Sequence, residues 1–432
     1  MHEVLSRHLL VDGFPLVLDL AKSHGSWLVD ARDGSEYLDF YTFFASSPLG
    51  LNPPGLADDA AWLQEFAVIA ANKPANSDVA TVELARFAQT FADVLGDPAL
   101  PHLFFVEGGA LAVENAIKVA FDWKSRKNES AGRSRDLGTK VMHLRYAFHG
   151  RSGYTMSLTN TDPRKIAYFA KFPWPRIVSP SLDFSLPPAE REAAVIEKEK
   201  LALKQISDVL AQKAADIAAI IIEPIQGEGG DNHFRGEFLH ALRRVCDEHE
   251  LLLIFDEVQC GMGITGRNWC CQHFGVLPDL LSFGKKAQVC GVMAGPRLDE
   301  VKDNCFRLPS RISSTWGGNF TDYVRSTHYL RIIAEENLVE NARVKGDYLL
   351  AELHALARKY PAVSAVRGRG LMLAFDLPST AQRDAFWKGA YELGLLVVRC
   401  GERSIRLRPV LDIKDDIITE ALRIMDAQCR RL

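Results

Sequence analysis

The chain has 432 residues, of which 47% are hydrophobic and 25% are charged, so it has an ordinary globular composition with room for two or three domains. Its formal net charge of −4 gives no footprint for nucleic acid or a membrane surface. No apolar run reaches the roughly 18 residues that a membrane helix needs. Residues 1–10 lack the apolar core of a signal peptide, and the eight cysteines form no C-x-x-C pair. We therefore expect a cytoplasmic protein with reduced thiols and no metal site.

The middle of the chain alternates continuous apolar runs with amphipathic helices. This alternation is typical of a parallel sheet that is covered by helices on both faces. In chain order, the predicted elements are a strand over 102–106, a helix over 112–126, a strand over 141–144, a charged helix over 187–214, a strand over 217–223, a helix over 234–249, and strands over 251–258 and 280–283.

After residue 321 the pattern changes to that of a smaller α+β domain. The predicted elements there are helices over 322–335 and 344–359, a strand over 371–375, a helix over 381–394, strands over 395–398 and 405–408, and a helix from 414. Short strands over 25–28 and 37–40 are predicted to join this domain. The predicted fold is therefore α/β, with a large domain over 66–320 built on a mostly parallel sheet and a small domain formed by 1–65 and 321–432.

Two strands of the predicted sheet end in residues that are suited to chemistry. The strand over 251–258 carries Asp256 and Glu257 near its end, where open α/β sheets place their ligands. Lys285 and Lys286 follow the next strand, and a lysine that reacts with a carbonyl needs the lowered pKa that burial provides. Taken singly, each feature has a simpler structural interpretation. Asp256 could cap the turn that follows its strand, and Lys285 and Lys286 could be solvated loop residues.

A third segment, Phe104-Phe-Val-Glu-Gly-Gly-Ala110, joins a strand to a helix through a glycine-rich turn. Free N–H groups at a helix N-terminus bind phosphate. The spacing is neither G-x-G-x-x-G nor a P-loop, so a single small phosphate fits better than a dinucleotide. Pyridoxal phosphate requires a lysine, an acid at its pyridine nitrogen and a phosphate cup, and the three segments together supply them.

The chain resembles the class III aminotransferases of fold-type I over essentially its whole length. Two longer stretches, Ala147–Tyr154 and Gly284–Gly295, are similar to the branch of that family that acts on the terminal amine of L-lysine. That branch also has an aliphatic residue at the position of Ile264, where many members carry arginine. The motifs that carry the resemblance are Gly108-Gly109-Ala110 with Glu114-Asn-Ala-Ile-Lys118, Ala147-Phe-His-Gly-Arg151, Ile222-Glu-Pro-Ile-Gln-Gly-Glu228, Asp256-Glu-Val-Gln259, Phe283-Gly-Lys285 and Ser314-Thr-Trp-Gly-Gly-Asn319.

The resemblance implies that pyridoxal 5′-phosphate is the cofactor and that Lys285 binds it covalently. Lys286 then lies at a position that the family does not use for chemistry. Asp256 matches the acid that holds the pyridine nitrogen protonated, and Gln259 matches the group near the phenolic oxygen. The assignments of Lys285, Asp256 and Gln259 place the reacting part of the cofactor at the ends of two neighbouring strands.

The remaining cofactor contacts are also implied by the resemblance. Phe148 and Val258 would cover the two faces of the ring, and Gly109 and Ala110 would donate backbone N–H groups to the phosphate. Thr315 matches a hydroxyl that reaches the phosphate of the other subunit. The resemblance therefore implies a homodimer.

The activity that the resemblance implies is transfer of the ε-amino group of L-lysine to 2-oxoglutarate, which gives 2-aminoadipate 6-semialdehyde and L-glutamate. Arg151 would bind the carboxylate of lysine, which lies far from the reacting amine. Arg406 would bind the α-carboxylate of 2-oxoglutarate, and Glu228 would neutralise Arg406 while lysine reacts. Glu223 and Gln259 are also predicted to contact substrate.

Two alternatives stay open on the sequence alone. The first is another ω-aminotransferase that uses ornithine or 4-aminobutyrate, since the chemistry is the same and only the pocket length differs. The second is a non-catalytic binding protein on the same scaffold, against which the intact Lys285 and Asp256 argue. Period-two alternation also places Arg408 on the same strand face as Arg406, so only the resemblance separates these two arginines.

Overall fold

The computed structural model describes all 432 residues as sixteen strands and twelve helices, with short 3₁₀ turns between them. No helix combines the length and the apolar composition that are needed to cross a bilayer. The strands are β1 (Trp27–Val29), β2 (Glu36–Asp39), β3 (His102–Val106), β4 (Lys140–Leu144), β5 (Arg176–Ile177), β6 (Ile217–Ile222), β7 (Ile225–Gln226), β8 (Asn232–His233), β9 (Leu252–Asp256), β10 (Leu280–Phe283), β11 (Cys290–Ala294), β12 (Ser364–Arg369), β13 (Met372–Asp376), β14 (Leu395–Leu396), β15 (Val398–Cys400) and β16 (Ser404–Leu407). The helices are α1 (His2–Ser6), α2 (Thr42–Ala45), α3 (Ala60–Ala70), α4 (Val82–Val94), α5 (Gly109–Ser130), α6 (Gly153–Leu158), α7 (Pro188–Lys213), α8 (Gly236–Glu248), α9 (Phe320–Glu335), α10 (Leu338–Lys359), α11 (Thr380–Glu392) and α12 (Asp415–Cys429).

A seven-stranded sheet with the order β3-β11-β10-β9-β6-β4-β5 forms the centre of the molecule. Every residue of β6 is buried, because helices cover both faces of its isoleucine and alanine run. The strands from β10 to β5 run parallel, whereas β11 is antiparallel to both of its neighbours. The prediction of a mostly parallel, helix-covered sheet is confirmed.

Strand β11 was missing from the predicted elements. Its sequence, Cys-Gly-Val-Met-Ala, is short and rich in small residues, so it lacks the continuous β-branched pattern that marks β6. It completes the sheet because it pairs with β3 on one side and β10 on the other. Strand β3 and the helix that follows it are thereby attached to the end of the sheet that carries Lys285.

The first and last segments of the chain share a small sheet. Strands β1 and β2 pair with β14, and Leu38 lies opposite Leu395. A second sheet of four strands, with the order β12-β13-β16-β15, is antiparallel throughout. It carries Arg406, in β16, and Arg408, the residue after it, to the segment that follows β9, where both side chains donate to Gln259. The exact division of domains at residues 65 and 320 stays a prediction.

The residues that follow β2 form an unusual turn. All four residues of α2, Thr42–Ala45, have a positive φ, which costs an L-residue roughly 1–2 kcal/mol. Asp39 holds the start of the turn, since its carboxylate accepts the backbone N–H groups of Tyr41 and Thr42. Ser46, the residue after this turn, lines the cavity at the ends of β9 and β10.

An ion pair between Arg408, the residue after β16, and Asp231, in the turn between β7 and β8, lies in the interior, where the two side chains are 1% and 0% exposed. Removing one partner leaves a buried charge without compensation. We predict that Asp231→Ala lowers the free energy of unfolding by about 3–5 kcal/mol. The midpoint of thermal unfolding measures the change. Glu340→Ala, which breaks an exposed pair with Arg343, is the control, and an equal shift in both variants would contradict the prediction.

Candidate active site

A cavity of about 680 Å³ opens at the ends of β9 and β10. The register of these parallel strands sets Ser282 beside Asp256, so the chain that leaves each strand enters the same cavity. The predicted site residues that line it are Gly109, Ala110, Phe148, Arg151, Glu223, Asp256, Val258, Gln259 and Lys285. Of the other predicted site residues, Arg406 touches the wall of the cavity through Gln259, and Glu228 touches Arg406.

Lys285 begins a 3₁₀ turn directly after β10 and has a φ of 50°. A left-handed conformation at a residue with a side chain is strained, and such strain is concentrated at functional sites. Burial, and after it the charge of Arg406, lowers the pKa of the Lys285 amine to about 8. A substantial fraction of this amine is therefore neutral and nucleophilic at mildly alkaline pH.

Lys286 has a different environment although it is the next residue. Its side chain is buried outside the cavity, and its Nζ donates to the carbonyl oxygens of Ser47, at 2.6 Å, and Pro409, at 3.3 Å. These contacts tie the 3₁₀ turn to the segments around it. Lys285 is thus the lysine of the pair that faces the cavity.

Asp256 ends β9 and presents its carboxylate to the cavity. One oxygen accepts the backbone N–H of Val258 at 3.1 Å, and this turn ends the strand two residues before the predicted limit. The other oxygen lies 2.7 Å from Nδ1 of His149, which is fully buried and whose Nε2 has no partner. His149 was not predicted as a site residue, although it stands inside the motif around Phe148. The signal in the sequence was its place between two predicted site residues, Phe148 and Arg151.

The N-terminus of α5 supplies a cradle for an anion. Gly108 precedes the helix with a φ of 104°, and no side chain caps the free N–H groups of this 22-residue helix. A Cβ on Gly109 would lie 3.1 Å from Val258, which is tighter than an ordinary contact, so a larger residue there would require Val258 to shift by a few tenths of an ångström. With Lys285 and Asp256 across the cavity, the residues present fit pyridoxal phosphate.

Glu223 is buried in the wall of the cavity, and both of its oxygens accept backbone N–H groups. The donors are Phe148, at 2.9 Å, and Gly227, at 3.1 Å. Burial raises the pKa of this carboxyl to about 7. Glu223 therefore fixes the segment that carries Phe148 and the one that leads to Glu228, and its predicted contact with substrate stays a prediction.

Arg406 lies on β16 with a side chain that is only 1% exposed. Its Nη2 donates to Oε2 of Glu228 at 2.5 Å, and its Nη1 donates to Oε1 of Gln259 at 3.0 Å. Burial alone would raise the pKa of Glu228, but Arg406 and Lys165 hold it below its usual value. Glu228 is therefore ionised at neutral pH, and its negative charge neutralises the positive charge of Arg406. Lys165, which pairs with the second oxygen of Glu228, was missed in the sequence.

The structure separates Arg406 from Arg408, which the strand alternation could not do. Arg408 pairs with Asp231 and also donates to two backbone carbonyl groups, those of Leu373 and Leu407. Its guanidinium is thus held in the protein interior by contacts with the chain itself. Arg406 instead donates to Glu228 and to Gln259, which lines the cavity, so its carboxylate partner can be exchanged for a ligand.

The two remaining predicted residues lie farther out. Arg151 lines the mouth of the cavity, is exposed, and pairs with no carboxylate of the chain. Thr315 is exposed and does not line the cavity, and its carbonyl oxygen accepts a hydrogen bond from Ser77 Oγ at 2.8 Å. Its contact with the phosphate site of another subunit stays a prediction.

A sheet-end lysine, a strand-end carboxylate and a free helix N-terminus around one cavity define an enzyme that uses pyridoxal phosphate. The family described as aminotransferase class-III matches residues 11–428, and the chain belongs to this family. Class III aminotransferases depend on pyridoxal 5′-phosphate, so the resemblance stated from the sequence is confirmed for family, fold and cofactor.

Individual relatives are similar over nearly the whole chain. The L-lysine-epsilon aminotransferase of Mycobacterium tuberculosis (strain ATCC 25618 / H37Rv) is 55% identical over 423 residues, which cover 98% of this chain and 93% of that one. The enzyme of the same name from Streptomyces clavuligerus is 52% identical over 427 residues, with coverage of 98% and 93%. A solved structure of lysine aminotransferase from M. tuberculosis superposes with a TM-score of 0.96 at 54% identity and covers 99% of this chain and 98% of that one.

We predict that the cofactor is attached to Lys285 and not to Lys286. Borohydride reduction followed by peptide mapping should place the label on Lys285, and Lys285→Ala should lose the absorbance of the attached cofactor while Lys286→Met keeps it. Because the pKa of Lys285 is lowered to about 8, cofactor uptake by the apoenzyme should speed up with pH and level off above that value. A label on Lys286 would overturn the assignment.

Asp256 should be needed to retain the cofactor. Asp256→Ala removes the carboxylate that His149 contacts and that would pair with the protonated pyridine nitrogen, a loss worth about 3–5 kcal/mol for one side of a buried ion pair. We expect weaker cofactor binding and lower turnover together, measured by dialysis against buffer without cofactor and by steady-state rates. Asp216→Ala, at the partly exposed pair with Lys140, is the control. Full activity of Asp256→Ala would contradict this role.

Proposed function

We propose that the chain is an L-lysine 6-aminotransferase that transfers the ε-amino group of L-lysine to 2-oxoglutarate. The products are 2-aminoadipate 6-semialdehyde, which cyclises to a piperideine carboxylate, and L-glutamate. The observation that carries the proposal is the pairing of Glu228 with Arg406 beside the cavity that holds Lys285. The relatives at 52% and 55% identity, named for lysine, support the choice of donor.

The pairing answers a conflict between the two substrates. Lysine reacts at its far amine, so no carboxylate accompanies the reacting carbon, and a bare buried arginine there would be left without a partner. Glu228 supplies that partner. 2-Oxoglutarate reacts at its α-carbon and brings its own carboxylate, which needs the planar guanidinium of Arg406. Glu228 must then turn away.

The other end of each substrate also carries a carboxylate. Arg151 lies at the mouth of the cavity without a carboxylate partner, so it can bind the α-carboxylate of lysine and the distal carboxylate of 2-oxoglutarate. A bidentate contact between Arg151 and the α-carboxylate of lysine would hold that end of the substrate at the mouth of the cavity. The ε-amine, and not the α-amine, would then reach the reacting position.

The cofactor, when bound, withdraws electrons from the carbon that carries the amino group and so makes its proton acidic. In our proposal, Asp256 holds the proton on the pyridine nitrogen and His149 orients Asp256. The free N–H groups at the start of α5 bind the phosphate, and Phe148 and Val258 cover the ring. Lys285 Nζ, once released by the substrate amine, would move the proton between the substrate carbon and C4′ of the cofactor.

We include a homodimer and a cytoplasmic location in the proposal. Thr315 is exposed, outside the cavity of its own chain, which leaves its hydroxyl free for the phosphate site of a partner subunit. All eight cysteines are free thiols, and they fit a reducing compartment. Sedimentation of the purified enzyme tests the dimer.

A panel of amino donors tests the choice of lysine. Lysine, ornithine and 4-aminobutyrate are compared with 2-oxoglutarate as acceptor, and the formation of glutamate is followed. We expect the highest kcat/KM for lysine. A preference for ornithine or 4-aminobutyrate would replace the donor and leave an ω-aminotransferase. A protein without the colour of the attached cofactor and without turnover would instead support a non-catalytic scaffold.

We predict that Glu228→Ala changes the two half-reactions in opposite directions. Without Glu228, Arg406 is bare, which weakens the reaction with lysine and strengthens the reaction with glutamate. Single-turnover absorbance changes measure the two halves separately. If both halves slow equally, Glu228 has a structural role only.

Arg406→Ala should have the complementary effect. It should spare the lysine half-reaction and weaken that of 2-oxoglutarate by about 2–5 kcal/mol, as expected for a buried charge pair with one partner removed. Arg403→Ala is the matched control, because Arg403 lies in the same segment with a side chain that is 52% exposed.

A further inference from the structure

Glu228 contacts two cations, one with each carboxylate oxygen. Oε2 accepts from Arg406, and Oε1 pairs with Lys165 Nζ. Lys165 ends the 3₁₀ turn Pro163–Lys165, in the loop that leads from α6 to β5. Its side chain is 30% exposed and that of Glu228 is 19% exposed. Lys165 is therefore more exposed to solvent than Arg406, whose side chain is 1% exposed.

Lys165 is held in place by more than Glu228. Its Nζ lies 5.5 Å from the centroid of the Phe148 ring, within the range of a cation–π contact. The turn that carries it is capped by Asp162, whose carboxylate accepts the backbone N–H of Arg164 at 2.9 Å. Lys165 can thus keep its position when Glu228 loses Arg406.

The arrangement keeps every charge paired in both states of the site. With Arg406 closed, Glu228 bridges the two cations. With Arg406 open, a substrate carboxylate pairs with Arg406, and Glu228 keeps Lys165. A carboxylate that had to leave its only cation in this partly buried place would pay the full desolvation penalty.

We propose that Lys165 is a positioning residue on which Glu228 pivots, and that it sets how easily Arg406 is released for the carboxylate of the keto acid. This rests on the proposed function for the identity of the substrates. The pivot itself needs only a dicarboxylate that binds Arg406. Lys165 acts through Glu228 and contacts neither substrate.

The test is the binding of glutarate to the enzyme with its cofactor. Glutarate is a five-carbon dicarboxylate without a reactive carbonyl, so calorimetry measures its Kd without turnover. In Lys165→Met, Glu228 has only Arg406 as a partner and competes harder with the ligand. We expect Kd to rise about tenfold, with the 2-oxoglutarate half-reaction slowed to a similar extent and the lysine half-reaction changed less than about threefold.

Two variants separate the pivot from other roles. Lys165→Arg keeps the charge and should restore binding to within about threefold of the wild type. Lys171→Met removes a lysine of the same loop that donates only to the backbone carbonyl groups of Ile166 and Phe169, and it should bind glutarate normally.

The decisive comparison is made in a Glu228→Gln background, where residue 228 has no carboxylate with which Lys165 could pair. There Lys165→Met should leave the Kd of glutarate unchanged. A loss that persists in this background means that Lys165 acts directly on the ligand, and it overturns the proposal, as does a wild-type Kd for Lys165→Met alone. If the enzyme rejects lysine as a donor while these binding results hold, the proposed substrate fails and the pivot stands.

Discussion

The ion pair between Glu228 and Arg406 is the interaction on which our account of the site depends. A guanidinium that is only 1% exposed needs a negative partner at all times. Glu228 supplies it from within the chain, and a keto acid can supply it from outside. The pair therefore lets one cavity take a donor without a carboxylate at the reacting carbon and an acceptor with one. Lys165 pairs with Glu228, and Gln259 accepts a hydrogen bond from Arg406.

The scaffold places this pair beside the reacting groups. Parallel pairing of β9 with β10 sets Asp256 next to the strand that leads into Lys285. The four-stranded sheet brings Arg406 from the far end of the chain, 147 residues after Gln259 in sequence. The Arg408–Asp231 pair joins the end of β16 to the turn between β7 and β8, which also carries Glu228, so the guanidinium of Arg406 is held in one place while its partner changes.

The sequence predicted the elements whose pattern is local. The apolar runs at β3 and β10 were located to the residue, and Lys285 and Asp256 followed from the ends of the strands. Contacts between distant segments left no such pattern. His149 meets Asp256 across 107 residues, and Lys165 meets Glu228 across 63, so neither could be read from spacing. Strand β11 was missed because its small residues are typical of turns as well as of strands.

A crystal structure of the cofactor-bound enzyme with glutarate would test the exchange of partners at Arg406 most directly. We predict that a carboxylate of the ligand lies on the guanidinium of Arg406 and that Glu228 has turned away while keeping its contact with Lys165. A structure in which glutarate fills the cavity and Glu228 still lies on Arg406 would contradict it.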